Sequence, residues 1–399
     1  KNLKWETTVT RNIGLDFGFF NSRLTGTIDA YWNTTKNLLM KTAIPGITGF
    51  TTTYANVGQT SNKGIEIALQ GVLIKNRDWN VTAGFNINFN RGKVDKLADN
   101  VTGLYGTEWA TSSTFPKSDY VLKEGRPVGL VRGLTADGFY TTNDFTYENG
   151  VYTLKKGVPD VTSAVFPNYH LHSGMNERPA GQLAYPGMAK FKDLNDDGFI
   201  NDDDVDVIGD MTPIHTGGFN INATYKNFDL GLYFNWSYGN EIYNVNKLAA
   251  LYGYKEGAVY ENKLSIVKDC YKIYDVVNGE LVALTTPEQL NAANANAKLP
   301  LAYSENGYVS TLGIEDGSYL RLNTLTLGYT LPKSVLQKAG ISNLRVYGSI
   351  YNVFTITGYS GIDAEVSTST STKTYPQLGM DWGTYPRARS FVLGVNLSF

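Results

Sequence analysis

A chain of 399 residues with a formal net charge of −2 lacks the basic footprint of a nucleic-acid binder, so that class is set aside. With 13% aromatic residues, 27 Tyr and 41 Gly but only 18% charged residues, the composition favours strands over helices. Cys270 is the sole cysteine, which excludes an intrachain disulfide framework, and no run of about 18 apolar residues supplies a membrane-spanning helix.

A membrane-spanning strand needs only about 9–11 alternating residues, and alternation dominates this sequence. Ile13, Leu15, Phe17 and Phe19 form the first apolar set, followed by Leu24, Gly26, Ile28, Ala30 and Trp32. Ile65, Ile67 and Leu69 form the third, and Val81, Ala83, Phe85, Ile87 and Phe89 the fourth, interleaved with Asn, Thr and Gly. The pattern resumes at Phe219, Ile221, Ala223 and Tyr225, then at Leu230, Leu232, Phe234 and Trp236. Between Tyr319 and Leu331 the apolar set changes parity, which predicts a β-bulge near Asn323 or Thr324. Leu344, Val346, Gly348 and Ile350 form the eighth run, and Phe391 to Phe399 the ninth.

Short connections at Asn21 to Arg23, Lys75 to Asp78 and Lys226 to Asn227, and a somewhat longer one at Pro332 to Asn343, alternate with long ones. The long stretches are Asn37 to Tyr54, Lys93 to Thr216, Gly239 to Asp316 and Thr357 to Arg387. A helical turn is expected in Lys333 to Ala339, and the strand-like text from Val128 to Thr141 reads as loop structure. Short periplasmic turns and long extracellular loops are the arrangement of an antiparallel outer-membrane β-barrel. Single-chain bacterial barrels have even strand numbers, and an open edge in hydrocarbon costs several kcal/mol per unsatisfied group. Nine strands therefore predict further strands, with the neighbour of Phe391 to Phe399 lying upstream of Lys1. A soluble β-sandwich also alternates, but its outward sets are not continuously aromatic and aliphatic.

Within the long stretches, Asp193, Asn195, Asp197, Asn201 and Asp204 stand at positions 1, 3, 5, 9 and 12 of an EF-hand-like loop, with Gly198 at 6. Calcium takes six to eight hard oxygens, and the carbonyl of Phe199 at position 7 supplies another. Asp204 replaces the usual Glu, as in dockerin-type loops. The expected metal is a structural calcium, against the plain alternative of an acidic solvated turn. Tyr105, Trp109, Tyr120, Phe166, Tyr169 and Trp382 are aromatics that could stack on sugar rings or peptide side chains, or pack the loops together. His170 and His172 have no third or fourth zinc ligand nearby, and His215 sits just before a strand. No nucleophile elbow, phosphate loop or zinc-protease motif occurs, so no enzyme is expected.

Several stretches resemble the C-terminal half of the SusC/RagA family of TonB-dependent outer-membrane transporters. They include Leu3-Lys4-Trp5-Glu6 with Asn12-Ile13-Gly14-Leu15-Asp16, and Asn56-Val57-Gly58 with Asn62-Lys63-Gly64-Ile65-Glu66. Tyr319-Leu320-Arg321-Leu322, Leu325-Thr326-Leu327-Gly328-Tyr329, Asn343-Leu344-Arg345-Val346-Tyr347 and the closing Arg389-Ser390-Phe391 continue the likeness in order. The resemblance implies an all-β, antiparallel transmembrane barrel of about 22 strands, of which residues 1–399 form the C-terminal part. It also implies a plug and a TonB-interacting segment outside this sequence, a SusD-type surface lipoprotein as partner, and import of oligosaccharides or peptides energised through TonB.

Overall fold

The computed structural model describes residues 3–43, 49, 52–97, 101–110, 114–166, 178–252, 263–302, 307–336, 340–368 and 377–399. Nine strands form one antiparallel sheet in strict chain order. They are β1 (Thr7–Phe19), β2 (Leu24–Lys36), β3 (Gln59–Lys75), β4 (Trp79–Lys96), β5 (His215–Tyr225), β6 (Phe228–Tyr238), β7 (Tyr319–Thr330), β8 (Asn343–Thr357) and β9 (Ser390–Ser398). All nine coincide with the alternating runs. β1 and β9 are the edges, and neither pairs with a further strand among the described residues.

The short turns have local causes. Asn21 and Lys226 adopt positive φ, and the Asn76 carboxamide oxygen accepts from the backbone N–H groups of Asp78 and Trp79, closing an Asx turn. After β7 the helical turn spans Lys333–Leu336, while 337–339 lie outside the described residues. The expected bulge is present. Phe234 faces Leu322 and Tyr233 faces Thr324, so Asn323 is the extra residue that restores the facing of Leu325 and Leu327.

Register turns alternation into a continuous surface. Phe17, Gly26, Leu69, Phe85, Phe219, Phe234, Leu322 and Phe354 are consecutive cross-strand partners from β1 to β8. One position along, Asp16, Thr27, Ala68, Asn86, Gly218, Asn235, Arg321 and Thr355 form the row on the opposite face. Ile13, Leu15, Phe19, Ile65, Leu327, Phe391, Leu393 and Val395 are all exposed. An apolar face this wide far exceeds the few hundred Å² that a soluble monomer leaves bare, and lipid is the solvent that suits it.

Aromatic rings border the band at both ends. Trp79 packs on Tyr225 at a centroid distance of 4.4 Å near the short turns, and Phe89 meets His215 at 5.4 Å near the long connections. The two pairs lie ~10 residues apart along β4 and β5, about 33 Å of strand, or about 25 Å of height at a tilt of about 40°. That is the thickness of an outer-membrane apolar belt.

Candidate functional site

The packed core of the molecule lies in the long connections, not in the wall. Phe145, Tyr152, Tyr185 and Phe191 from the β4–β5 connection, Tyr243, Leu248, Leu290 and Tyr308 from the β6–β7 connection, and Met380 from the β8–β9 connection share one buried cluster. Edge-on ring contacts hold it, including Tyr152 on Tyr185 at 5.6 Å and Phe191 on Tyr308 at 5.0 Å. The strand-like text after Val128 resolves into Leu130–Gly133, paired with Asp206–Asp210, and Ala136–Phe139, paired with Ala189–Phe191. Both belong to this cap and not to the wall.

Buried carboxylates tie the cap's irregular backbone. Asp119 accepts from the N–H groups of Glu108, Trp109 and Ala110, and Asp160 accepts from those of Leu183 and Ala184. Each satisfies donors that no ladder reaches. Tyr120 donates its hydroxyl to the carbonyl of Leu378 at 2.8 Å, joining the first connection to the third.

This arrangement corrects part of the aromatic reading. Tyr120 and Phe166 are core residues, the latter stacked on Phe191 and edge-on to Tyr308, so neither ring is open to a ligand. Alternation cannot separate such rings from exposed ones in a connection packed on all sides. Trp109 is partly buried edge-on to Tyr243 at 6.4 Å. Tyr105, 49% exposed beneath the Arg132 guanidinium, and Trp382, 48% exposed, keep accessible faces. Tyr169, His170 and His172 lie outside the described residues.

His215 opens β5 instead of preceding it. It accepts from the Trp236 indole N–H at 3.0 Å and stacks on Tyr238, so it serves the aromatic border.

The 193–204 loop folds as a chain of Asx turns. Asp193 accepts from Gly198 N–H at 2.7 Å, Asp197 from Phe199 N–H at 2.8 Å, and buried Asp204 from Leu194 and Asn201 N–H. The Phe199 and Asn195 donors hold the Asp197 carboxyl below the usual range. Among the described residues no three His, Cys, Asp or Glu side chains form a metal-holding group, so any cation here would rely on Asn and carbonyl oxygens as well.

Beneath the cap the inner face is polar. Arg345 on β8 holds Asp229 on β6 in a bidentate pair, and Tyr31 donates to Asn90 at 2.9 Å. Arg321 on β7, 2% exposed, pairs with Asp363 and with Glu365 at 3.3 Å, drawing the β8–β9 connection onto the wall. Sequence reasoning missed this anchor. The single hint was an arginine at an inward position of an apolar strand.

A cavity of about 750 Å³ opens where the cap meets the ends of β2, β3 and β4, reached by the outward-parity residues Trp32, Lys63 and Arg91 and bordered on the cap side by Pro127, Asp210 and Glu241. Burial pushes the Glu241 carboxyl up, against the N–H it accepts from Asp210, with the charges of Asp210 and Asp316 adding to the rise. A mixed polar and apolar recess of this size suits a small hydrated solute.

A lipid-facing wall, a polar inner face and a fused loop cap define part of an outer-membrane β-barrel. The family model "TonB dependent receptor-like, beta-barrel" matches residues 1–175. Over the whole chain, TonB-dependent receptor P3 of Formosa agariphila is 30% identical and TonB-dependent receptor SusC of Bacteroides thetaiotaomicron is 27% identical. The match covers 34% and 32% of those proteins, so the chain spans about a third of the curated relatives' length. The solved RagAB peptide importer in its closed-closed state superposes over 100% of this chain and 36% of its own, with a TM-score of 0.70 and 24% identity. Residues 1–175 thus carry the TonB-dependent receptor β-barrel domain, and the whole chain is similar to TonB-dependent receptors, SusC among them.

Proposed function

We propose that these 399 residues are the C-terminal part of the barrel of an active importer, with the remaining strands and a plug outside them. The observation that carries this reading is the polar inner wall lying directly under a cap fused from three connections, with Arg321 joining one to the other. Among the described residues the nine strands leave two unpaired edges in hydrocarbon, which further strands would satisfy. The cargo class is oligosaccharide or peptide. Tyr105 and Trp382 supply accessible rings for either, and the RagAB neighbour is a peptide importer.

In this reading the cap is also the docking face for a SusD-type lipoprotein, and TonB acts through the portion outside this chain. Calcium in the 193–204 loop would stiffen one edge of the cap, using Asp193, Asn195, Asp197, the Phe199 carbonyl, Asn201 and Asp204. Uptake of labelled dextrin, fructan and peptide panels by cells carrying the full-length protein, with and without TonB, tests the reading. TonB-dependent accumulation of one class supports it. Surface binding that never becomes uptake in energised cells would instead make the protein a receptor.

A further inference from the structure

We propose that the outer face of β1 to β4, at its cap end, binds the phosphorylated saccharolipid headgroup of the membrane's outer leaflet. Arg11, Trp32, Lys63 and Arg91 are consecutive cross-strand partners, in the row next to Ile13, Ala30, Ile65 and Phe89. They share the parity of the lipid-facing set, and all four are exposed. With strands about 4.8 Å apart, Arg11 and Arg91 lie about 14 Å from each other along the wall.

The placement is at headgroup depth. Phe89 marks the upper border of the belt, and Arg91 lies two residues beyond it on β4, about 5 Å higher at the barrel tilt. Trp32 stands between Arg11 and Lys63, and indole rings favour that same boundary. The site is therefore continuous with the hydrocarbon face, so acyl chains and headgroup can be held by one molecule.

The charges point to an anion. Lys63 and Arg91 are directly opposed on neighbouring strands, an arrangement that destabilises a sheet when nothing lies between the charges. Among the described residues neither Arg11 nor Lys63 has an ion-pair partner, and the Nη1 of Arg91 donates to the carbonyls of Asn90 and Pro213, both at 2.8 Å. That fixes the guanidinium against the wall and leaves its other donors free. Of the nearby acids, Asp95 is taken by Lys93 at 3.3 Å and by Ser61 at 2.8 Å, while Asp210 and Glu241, which line a recess with Lys63 and Arg91, accept from the N–H groups of Thr212 and Asp210. A phosphate between Lys63 and Arg91 turns the repulsion into two charge-assisted contacts.

The inference needs the outer-membrane setting alone and stands apart from any claim about cargo. Its test uses the full-length protein purified in detergent and mixed with phosphorylated saccharolipid, the same lipid after dephosphorylation, or inorganic phosphate, with bound lipid counted by native mass spectrometry. The phosphorylated lipid should be retained and the dephosphorylated one retained at least ~10-fold less. The triple variant Arg11→Gln, Lys63→Gln, Arg91→Gln should lose the difference, whereas Lys75→Gln with Lys226→Gln at the turn end should keep it. Should the triple variant not fold, Lys63→Gln and Lys63→Arg read the same contrast singly, with the Arg form retaining lipid. Equal retention of both lipids, or displacement of the lipid by millimolar inorganic phosphate, would overturn the proposal.

Discussion

Arg321, on the inner face of β7, and Asp363, in the connection between β8 and β9, form a buried ion pair on the lumen side of the wall. Arg321 also holds Glu365 at 3.3 Å, and Arg387 of the same connection braces that carboxylate at 2.8 Å, so two of the connection's charges are fastened to the wall. Removing one member of a buried pair strands the other, at about 3–5 kcal/mol, whereas removing both costs less. Arg321→Ala should expose residues 358–368 to proteolysis and raise their amide exchange. Adding Asp363→Ala should restore part of the protection.

The same pair sets a pH limit. Burial alone would raise the Asp363 carboxyl, but the Glu365 N–H and the Arg321 guanidinium outweigh it and hold it below its ordinary value. A depressed carboxylate contributes stability that is present above its unfolded value and lost as pH falls through the folded one. Protection of 358–368 should therefore be flat from neutrality to about pH 4 and fall only in stronger acid. Amide exchange measured across that range checks the sign.

Core and accessible aromatics should separate cleanly. Tyr120→Phe removes the hydrogen bond to Leu378 and should cost about 1 kcal/mol, while Tyr120→Ala also opens a cavity and should cost about 3–5 kcal/mol. Trp382→Ala and Tyr105→Ala should change stability by less than about 1 kcal/mol and be felt in ligand binding instead. Thermal unfolding read beside calorimetric binding distinguishes the two groups.

Calcium binding to the 193–204 loop would raise the melting temperature of the cap, by an amount equivalent to about 2.7 kcal/mol when calcium stands at 100 times its dissociation constant. Chelator should reverse the rise, and Asp193→Asn should weaken it. Asp204→Ala should destabilise with or without calcium, because this buried carboxylate also holds the Leu194 and Asn201 N–H groups. Calorimetry that detects no calcium uptake by the intact protein would leave the loop an acidic turn.

The wall was legible because each of its strands meets two different solvents. Lipid on one side and water on the other impose period two, and even the single lapse at Asn323 could be read as a bulge. The cap had no such contrast. Its strands are short, and one such as Tyr120–Leu122 is buried on both faces, so nothing in the sequence separates Tyr120 from Tyr105. Arg321 and Asp363 are 42 residues apart, and no local pattern links them.

Facing along β4 is the premise beneath these claims, and cysteine scanning measures it most directly. The native Cys270 is buried, with its thiol pushed up to about 11 chiefly by burial and further by Asp269, so its background labelling should be low. In the full-length protein in outer membranes, cysteines at Ala83, Phe85 and Ile87 should react with a lipid-soluble maleimide and resist a charged one. Those at Gly84, Asn86 and Asn88 should show the reverse. Uniform labelling, or charged reagent reaching 83, 85 and 87, would contradict a wall with one lipid face and one lumen face.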